Sequence, residues 1–288
     1  MAITVSGLYF APVKSCGWLP LERAEIVSTG IKYDREWMFV DERGMFVAQR
    51  QNSGKGVEVK SLCQIQPRFE GSKLLLEAPQ MNTLAIPVDS YEGTLCQVQV
   101  WADKVRAVDA GSAAADWVSA FINRERKGSF RLVRIWPYSC RNTVAGYGRL
   151  AFHDGYPFLI LSQASVDDLN RRMAASLPVN RFRPNILLAG CEPYEEDHMA
   201  AIEIGGRSVG KMSIAGMHFT GATLCARCLI TTTDQKTGSR AKEPLLTLSK
   251  YRPRNQDGYV FARNFNHRNM GLISVGEEVR VVRSDNYA

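Results

Sequence analysis

LCARCLITTTDQKTGSR, residues 224–240, decides how this chain is read. It sets Cys225 and Cys228 two residues apart with Arg227 between them, then runs into three threonines. Such a pair can be half of a zinc site, a redox couple, a source of ligands for another metal, or buried filler. A structural zinc site takes four ligands, usually from two such knuckles. Here the other cysteines (16, 63, 96, 140 and 191) stand alone, and the four histidines (153, 198, 218 and 267) show no paired spacing. A thioredoxin-type pair sits where a strand gives way to a helix N-terminus. The residues after Cys228 are β-branched instead, so CLITTTD is expected to be a strand, in a β fold. Burial as small core residues stays open. Arg227 argues for more, because a guanidinium beside a thiol favours the thiolate. A thiolate is a nucleophile or a ligand for a soft or high-valent metal. One thiolate suffices if the metal arrives in a cofactor that brings the other ligands and has its own anchoring groups.

Candidate anchors lie far away in sequence. PVKSC (12–16) puts Lys14 and Ser15 after an apolar strand, a cation and a hydroxyl that both suit phosphate. YDREW (33–37) holds Arg35 among bulky neighbours, and NRFRPN (180–185) offers Arg181 and Arg183 before another strand. Each lies at the end of an apolar run, where loops build sites. HDGYPFLILS (153–162) is a permissive turn before a buried strand; Gly155 would let backbone approach a ligand closely. His153 is expected at the surface or in a loop. QNSGKG (51–56) lacks P-loop spacing and reads as a turn, and no G-x-G-x-x-G or G-x-S-x-G supports a dinucleotide site or a hydrolase.

The rest of the chain agrees with a mostly β protein carrying a few helices (α+β). ITVSGLYFAPV, then REWMFVDERGMFVAQR with a turn at 42–44, then GSKLLLEAP, TLAIPV and LCQVQVW read as short strands, as in a small barrel or sandwich. A helix is expected from an N-cap at Ser112, with Ala115, Val118, Ala120, Phe121 and Ile122 at helical spacing. FRLVRIW follows as a strand. LILSQASVDDLNRRMAA starts as a strand and turns helical near Ser165, through S-x-x-D. PNILLAG, AAIEIGG and RSVGKMSIAG read as strands, EPLLTLSKYR as a short helix, and GLISVGEEVRVVRS as a hairpin around Gly276. The boundary falls near residue 110, giving domains 1–110 and 111–288.

Bulk properties narrow the function classes. With 288 residues the chain can bury a core without disulfides. Its hydrophobic fraction of 45% and charged fraction of 23% are those of ordinary globular proteins. No signal peptide or membrane-length apolar segment is read, so no membrane partner is expected. Scattered cysteines, odd in number, suit a reducing compartment, and a cytoplasmic location is expected. The net charge of +7 suits an anionic partner: nucleic acid, lipid or cofactor. Nucleic acid would need aromatics exposed on a basic face, whereas these lie mostly inside apolar strands.

PVKSC, YDREWMFVD, HDGYPFLILSQAS, RFRPNILL, CARCLITTTDQKTG, KEPLLTLSKYR and GLISVGEEV occur in that order. Together they resemble the MOSC-domain proteins, in the branch with an N-terminal β-barrel domain that includes the mitochondrial amidoxime-reducing component and bacterial relatives. The resemblance spans nearly the whole chain and is weakest between about residues 50 and 130. It implies an N-terminal β-barrel-like domain followed by a MOSC β-barrel domain, and the molybdenum cofactor (Mo-molybdopterin). It implies reduction of N-hydroxylated compounds such as hydroxylamines, amidoximes and N-hydroxylated base analogues. The implied metal ligand and catalytic residue is Cys228, with Cys225 a non-ligand neighbour. The implied cofactor contacts are Lys14, Ser15 and Arg35, then Asp154, Gly155 and Tyr156, then Arg183, Ala226 and Arg227. A last contact, aromatic in some members, aligns with Asn264, a departure from the pattern.

Some bacterial relatives carry a ferredoxin-like domain with four clustered cysteines. No such set is read here, so the expected electron donor is a separate ferredoxin, flavoprotein or cytochrome. The rival reading is a carrier that holds cofactor or sulfur without turnover, since related sulfurases use the same fold. Pyridoxal phosphate binding is a label at family level, and no pyridoxal-phosphate domain is read in this sequence.

Overall fold

The computed structural model describes residues 2–50, 56–89, 91–144, 146, 148–209, 212–214 and 216–283. The expected turn at QNSGKG falls almost wholly outside these. The protein is mostly strand with few helices, as its patterning predicts. Its largest sheet runs Leu19–Leu21, Thr4–Phe10, Ile186–Ala189, Phe158–Ser162, Gly258–His267, Met217–Ala226, Met199–Ile204 and Val279–Arg283, with Arg254–Asn255 paired to Gly258–His267. Within it Phe158–Ser162 and Ile186–Ala189 are parallel neighbours, with the helix Gln163–Arg171 between them in sequence. A second, antiparallel sheet orders Leu95–Val100, Asp103–Asp109, Phe130–Ile135 and Trp37–Asp41. A meander of Gln66–Glu70, Lys73–Glu77 and Leu84–Pro87 lies beside it in sequence.

Each sheet buries the apolar alternation that the sequence carries. One core gathers Val5, Leu8, Ile160, Ile186, Leu188 and Phe265 from the largest sheet. Another packs Trp37, Phe39, Leu74, Leu76 and Leu132 against the helix Ser112–Ile122. That helix buries Ala114, Ala115, Val118, Phe121 and Ile122, the i, i+3, i+4 stripe of an amphipathic helix. Ala120, expected on this stripe, faces solvent.

Local chemistry moves several boundaries. The N-cap is Gly111, not Ser112; its φ of 91° is a conformation that glycine adopts without strain. The second helix starts at Gln163, because Ser162 ends its strand extended and its Oγ accepts from the Ser165 amide at 3.0 Å. CLITTTD is not a strand. Leu229–Thr232 forms a one-turn 3-10 helix, and the Thr231 and Thr232 hydroxyls donate back to the Cys228 and Leu229 carbonyls at 2.9 and 2.8 Å. Such side-chain bonds offer the backbone an alternative to a ladder. The closing segment is no hairpin either. It turns at Gly276, but Gly271–Ser274 pairs with Arg23–Val27 and Val279–Arg283 with Met199–Ile204.

Candidate cofactor and active-site cleft

One cleft of about 700 Å³ collects all eleven residues that the resemblance assigns to the site. Lys14 and Ser15 reach it from the loop after Thr4–Phe10, and Arg35 from the turn before Trp37–Asp41. Asp154, Gly155 and Tyr156 come from the loop before Phe158–Ser162, and Arg183 from the loop before Ile186–Ala189. Ala226 ends the strand Met217–Ala226, Arg227 follows it, and Cys228 caps the 3-10 turn. Asn264 enters from Gly258–His267, its amide donating to Thr223 Oγ1 at 3.2 Å. Of the two arginines in RFRPN, Arg181 turns to Asp234 at 2.8 Å, and Arg183 lines the cleft.

Buried Asp34, which the sequence reading passed over, ties these loops together. Its carboxylate accepts from the Ala11 amide at 2.8 Å, Asn185 Nδ2 at 2.9 Å, His153 Nε2 at 3.2 Å and the Arg35 guanidinium. Burial alone would push this carboxyl up, but Arg35 and His153 outweigh it and hold it at about 2. An ionised carboxylate only accepts, so His153 must donate from Nε2. His153 lies in a loop, one of the two placements expected, but is buried there, and burial pulls its pKa down against the pull of Asp34.

A second network shapes the opposite side. Lys14 Nζ donates to the Phe152 carbonyl at 2.8 Å and to Asp154 Oδ1 at 2.5 Å; the Trp101 indole meets the same oxygen at 3.1 Å. Burial pulls the Lys14 ammonium down, and Asp154 pulls it back. Desolvation pushes the Asp154 carboxyl up, but Lys14, Arg50 and Trp101 more than offset that, leaving it well below the usual carboxylate range. A Cβ on Gly155 would come within 3.2 Å of Val144 Cγ2, so its smallness makes room for that side chain.

The two cysteines are free and differ in setting. Arg227 Nη1 lies 3.1 Å from Cys225 Sγ, and Nη2 donates to the Phe182 carbonyl at 2.7 Å. Burial nevertheless pushes the Cys225 thiol up, outweighing the guanidinium. Arg227 does favour the thiolate of the cysteine it touches, as expected, but desolvation of the charged form is the larger effect. Among the described residues no group of three or more His, Cys, Asp or Glu side chains is placed to hold a metal ion.

Two features of the cleft suit an anion. Ser15, Arg35 and Arg183 have φ of 69°, 51° and 54°, left-handed conformations that side chains rarely adopt and that gather at functional sites. Among the described residues Arg183 forms no salt bridge and reaches only Gln235 Oε1, at 3.3 Å. Burial, with Arg35 close by, pulls its guanidinium down to about 10.

The profile of the MOSC N-terminal beta barrel domain matches residues 2–125, and that of the MOSC domain matches residues 147–280. Mitochondrial amidoxime-reducing component 1 of Mus musculus is 34% identical over 296 residues, spanning 96% of this chain and 81% of the relative. The chain belongs to the MOSC-domain family of the amidoxime-reducing components. Mitochondrial amidoxime-reducing component 1 of Homo sapiens is 30% identical, over 96% of this chain and 82% of its own length. Mitochondrial amidoxime reducing component 2 of Bos taurus is 31% identical over the same shares. The sequence motifs of this MOSC protein thus converge on one cleft. Gln49, Arg50 and Trp101 also line it, in the stretch where the resemblance is weakest. Asp34 sits among other charged residues, Lys32, Arg35 and Glu36, and nothing in the sequence singles it out.

Proposed function

We propose that this cleft binds the molybdenum cofactor through Cys228 and that the protein reduces N-hydroxylated compounds, such as hydroxylamines and amidoximes, to the N–H form. A separate donor protein (ferredoxin, flavoprotein or cytochrome) supplies the electrons. The observation that carries this reading is the meeting of Cys228 with the cations Lys14, Arg35, Arg183 and Arg227 in a single cleft. Relatives named for amidoxime reduction, alike over most of both chains, support it.

The residues present fit such a group. A dianionic phosphate on a bulky ring calls for partly buried Lys and Arg. Lys14, Ser15, Arg35 and Arg183 would hold that end. Arg183, which forms no salt bridge among the described residues, would gain an anionic partner there; the Lys14, Cys16, Asp34 and Arg35 amides are already given to backbone carbonyls, so the side chains would carry the contact. Cys228 would be the single protein sulfur on the metal, as the resemblance implies, while the Cys225 sulfur is engaged by Arg227 Nη1. When bound, the cofactor supplies two-electron chemistry that no side chain here provides. Arg227, tied to Phe182 and Cys225, would fix the backbone that presents Cys228. Converting N–OH to N–H consumes two electrons and two protons and releases water, so the donor must dock within electron-transfer reach of the cleft.

The test is molybdenum and pterin content of purified protein, wild type beside Cys228→Ser, followed by hydroxylamine reduction with candidate donors. Near-stoichiometric metal in the wild type, lost in the variant, is the expected result. Wild type made with ample molybdate that carries neither metal nor pterin would overturn the proposal.

A further inference from the structure

Five cations line the cleft, and four of them already donate to a neighbour. Lys14 has Asp154 and the Phe152 carbonyl, Arg35 has Asp34, and Arg227 has the Phe182 carbonyl and Cys225. Arg183 has a long bond to Gln235 Oε1 at 3.3 Å. Among the described residues Arg50 alone of the five donates to no acceptor: its Nε is buried without a partner, as is that of Arg227, and its guanidinium lies over the Trp101 ring, 5.3 Å from the centroid.

A guanidinium has only donors, so what Arg50 Nε lacks is a hydrogen-bond acceptor; the nearby Asp154 carboxylate, which Arg50 helps to hold ionised, accepts from Lys14 and Trp101 instead. Leaving a buried charged donor unpaired costs more than leaving a neutral one. Nε and the adjacent Nη form the two-donor edge that matches carboxylate or phosphate oxygens.

The side chain is also held in place. Gln49, wholly buried, exchanges amide hydrogen bonds with Gln235 at 3.1 and 3.2 Å and donates to the Ser15 carbonyl at 2.7 Å. Its own carbonyl accepts from Arg240 at 2.7 Å. Trp101 is fixed by its bond to Asp154 and by the Phe46 ring, 4.6 Å away between centroids. A donor on so firm a base loses little freedom on binding.

We propose that Arg50, braced by Trp101, is a further anion-binding residue of the cleft, taking a carboxylate or phosphate group of the bound ligand. The inference rests on the reading of the cleft given above. The anion can come from the cofactor's phosphate or from an acidic group on the substrate, and the two sources separate experimentally.

Wild type, Arg50→Ala and Arg50→Lys holoenzymes are compared for the rate of pterin release on dialysis and for KM with a carboxylated and an uncharged benzamidoxime. If the cofactor supplies the anion, Arg50→Ala speeds pterin release by about tenfold or more. If the substrate supplies it, KM for the carboxylated compound rises by about tenfold and that for the uncharged one stays unchanged. Arg50→Lys falls between, because a point charge keeps the attraction and loses the fork. Should the wild type prove free of pterin, the proposed function falls, and calorimetric titration with inorganic phosphate and benzoate still decides the role of Arg50. Unchanged release and an unchanged KM ratio, or in pterin-free protein equal affinity for both anions in wild type and Arg50→Ala, overturn the inference.

Discussion

Replacing Asp34 by Asn keeps the shape of the side chain and removes its charge, which isolates what that charge contributes. Four donors from four segments converge on this carboxylate. Its pKa sits at about 2 against an ordinary value of 3.8, and the side chain has no solvent exposure to screen it. That difference corresponds to about 2–3 kcal/mol of stability carried by the ionised form. A depressed carboxyl contributes its full share above the unfolded value and loses it as pH falls through the folded one. The stability gap between wild type and Asp34→Asn should therefore be about 2–3 kcal/mol at pH 7 and close between pH 4 and pH 2. Urea unfolding of both proteins across that range, followed by tryptophan fluorescence, measures it. A gap under about 0.5 kcal/mol at pH 7, or one that persists unchanged to pH 2, would refute the electrostatic account of the hub. The same variant should also release pterin faster, because Arg35 and the His153–Tyr156 loop lose their common tether.

Glu196 behaves in the opposite sense. Fully buried, with Ser165 Oγ donating to one oxygen and the other unpartnered, its carboxyl is pushed up by desolvation to about 7. Its protonated form is favoured on folding, so its contribution is complete below the ordinary glutamate range and is lost as pH rises to 7. Glu196→Gln, which mimics that form, should gain about 3 kcal/mol over wild type at pH 8 and nothing at pH 4, read by urea unfolding at both values. Gly258 has φ of 142°, and a Cβ there would stand 2.9 Å from the Arg227 carbonyl. Gly258→Ala should cost about 1–3 kcal/mol in urea unfolding and displace the Cys228 backbone, lowering metal content measured by elemental analysis; full metal content with unchanged stability would count against that role.

Much of the fold is legible because burial follows period. The helix over 112–122 and the strands at 4–10, 130–135 and 186–189 each bury the stripe that their spacing announces. The misreadings share a cause. At LITT, β-branching argues for a strand, and hydroxyl bonds to the preceding carbonyls win. At 271–283 the local pattern is that of a hairpin, and the choice of partners lies with segments that no local window contains. Cleft residues were legible where a cation or permissive turn interrupts an apolar run. Asp34 and Arg50 were not, since their meaning lies in what meets them in space: four donors in one case, an indole face in the other.

The edge-to-edge pairing of Thr4–Phe10 with Ile186–Ala189 has a consequence for how the chain is made. Ser6 donates to the Leu187 carbonyl across 181 residues of sequence. At synthesis rates of 5–20 residues per second, the first strand waits about 10–40 s for its partner to leave the ribosome. Over that time an apolar strand lacks its neighbour and invites misplaced pairing. The cleft waits longer still, since it draws on residues from Lys14 to Asn264. A ligand that must touch all of these at once joins only when nearly the whole chain has emerged. Holding the nascent N-terminus, and loading the finished barrel, are then two separate demands on the cell.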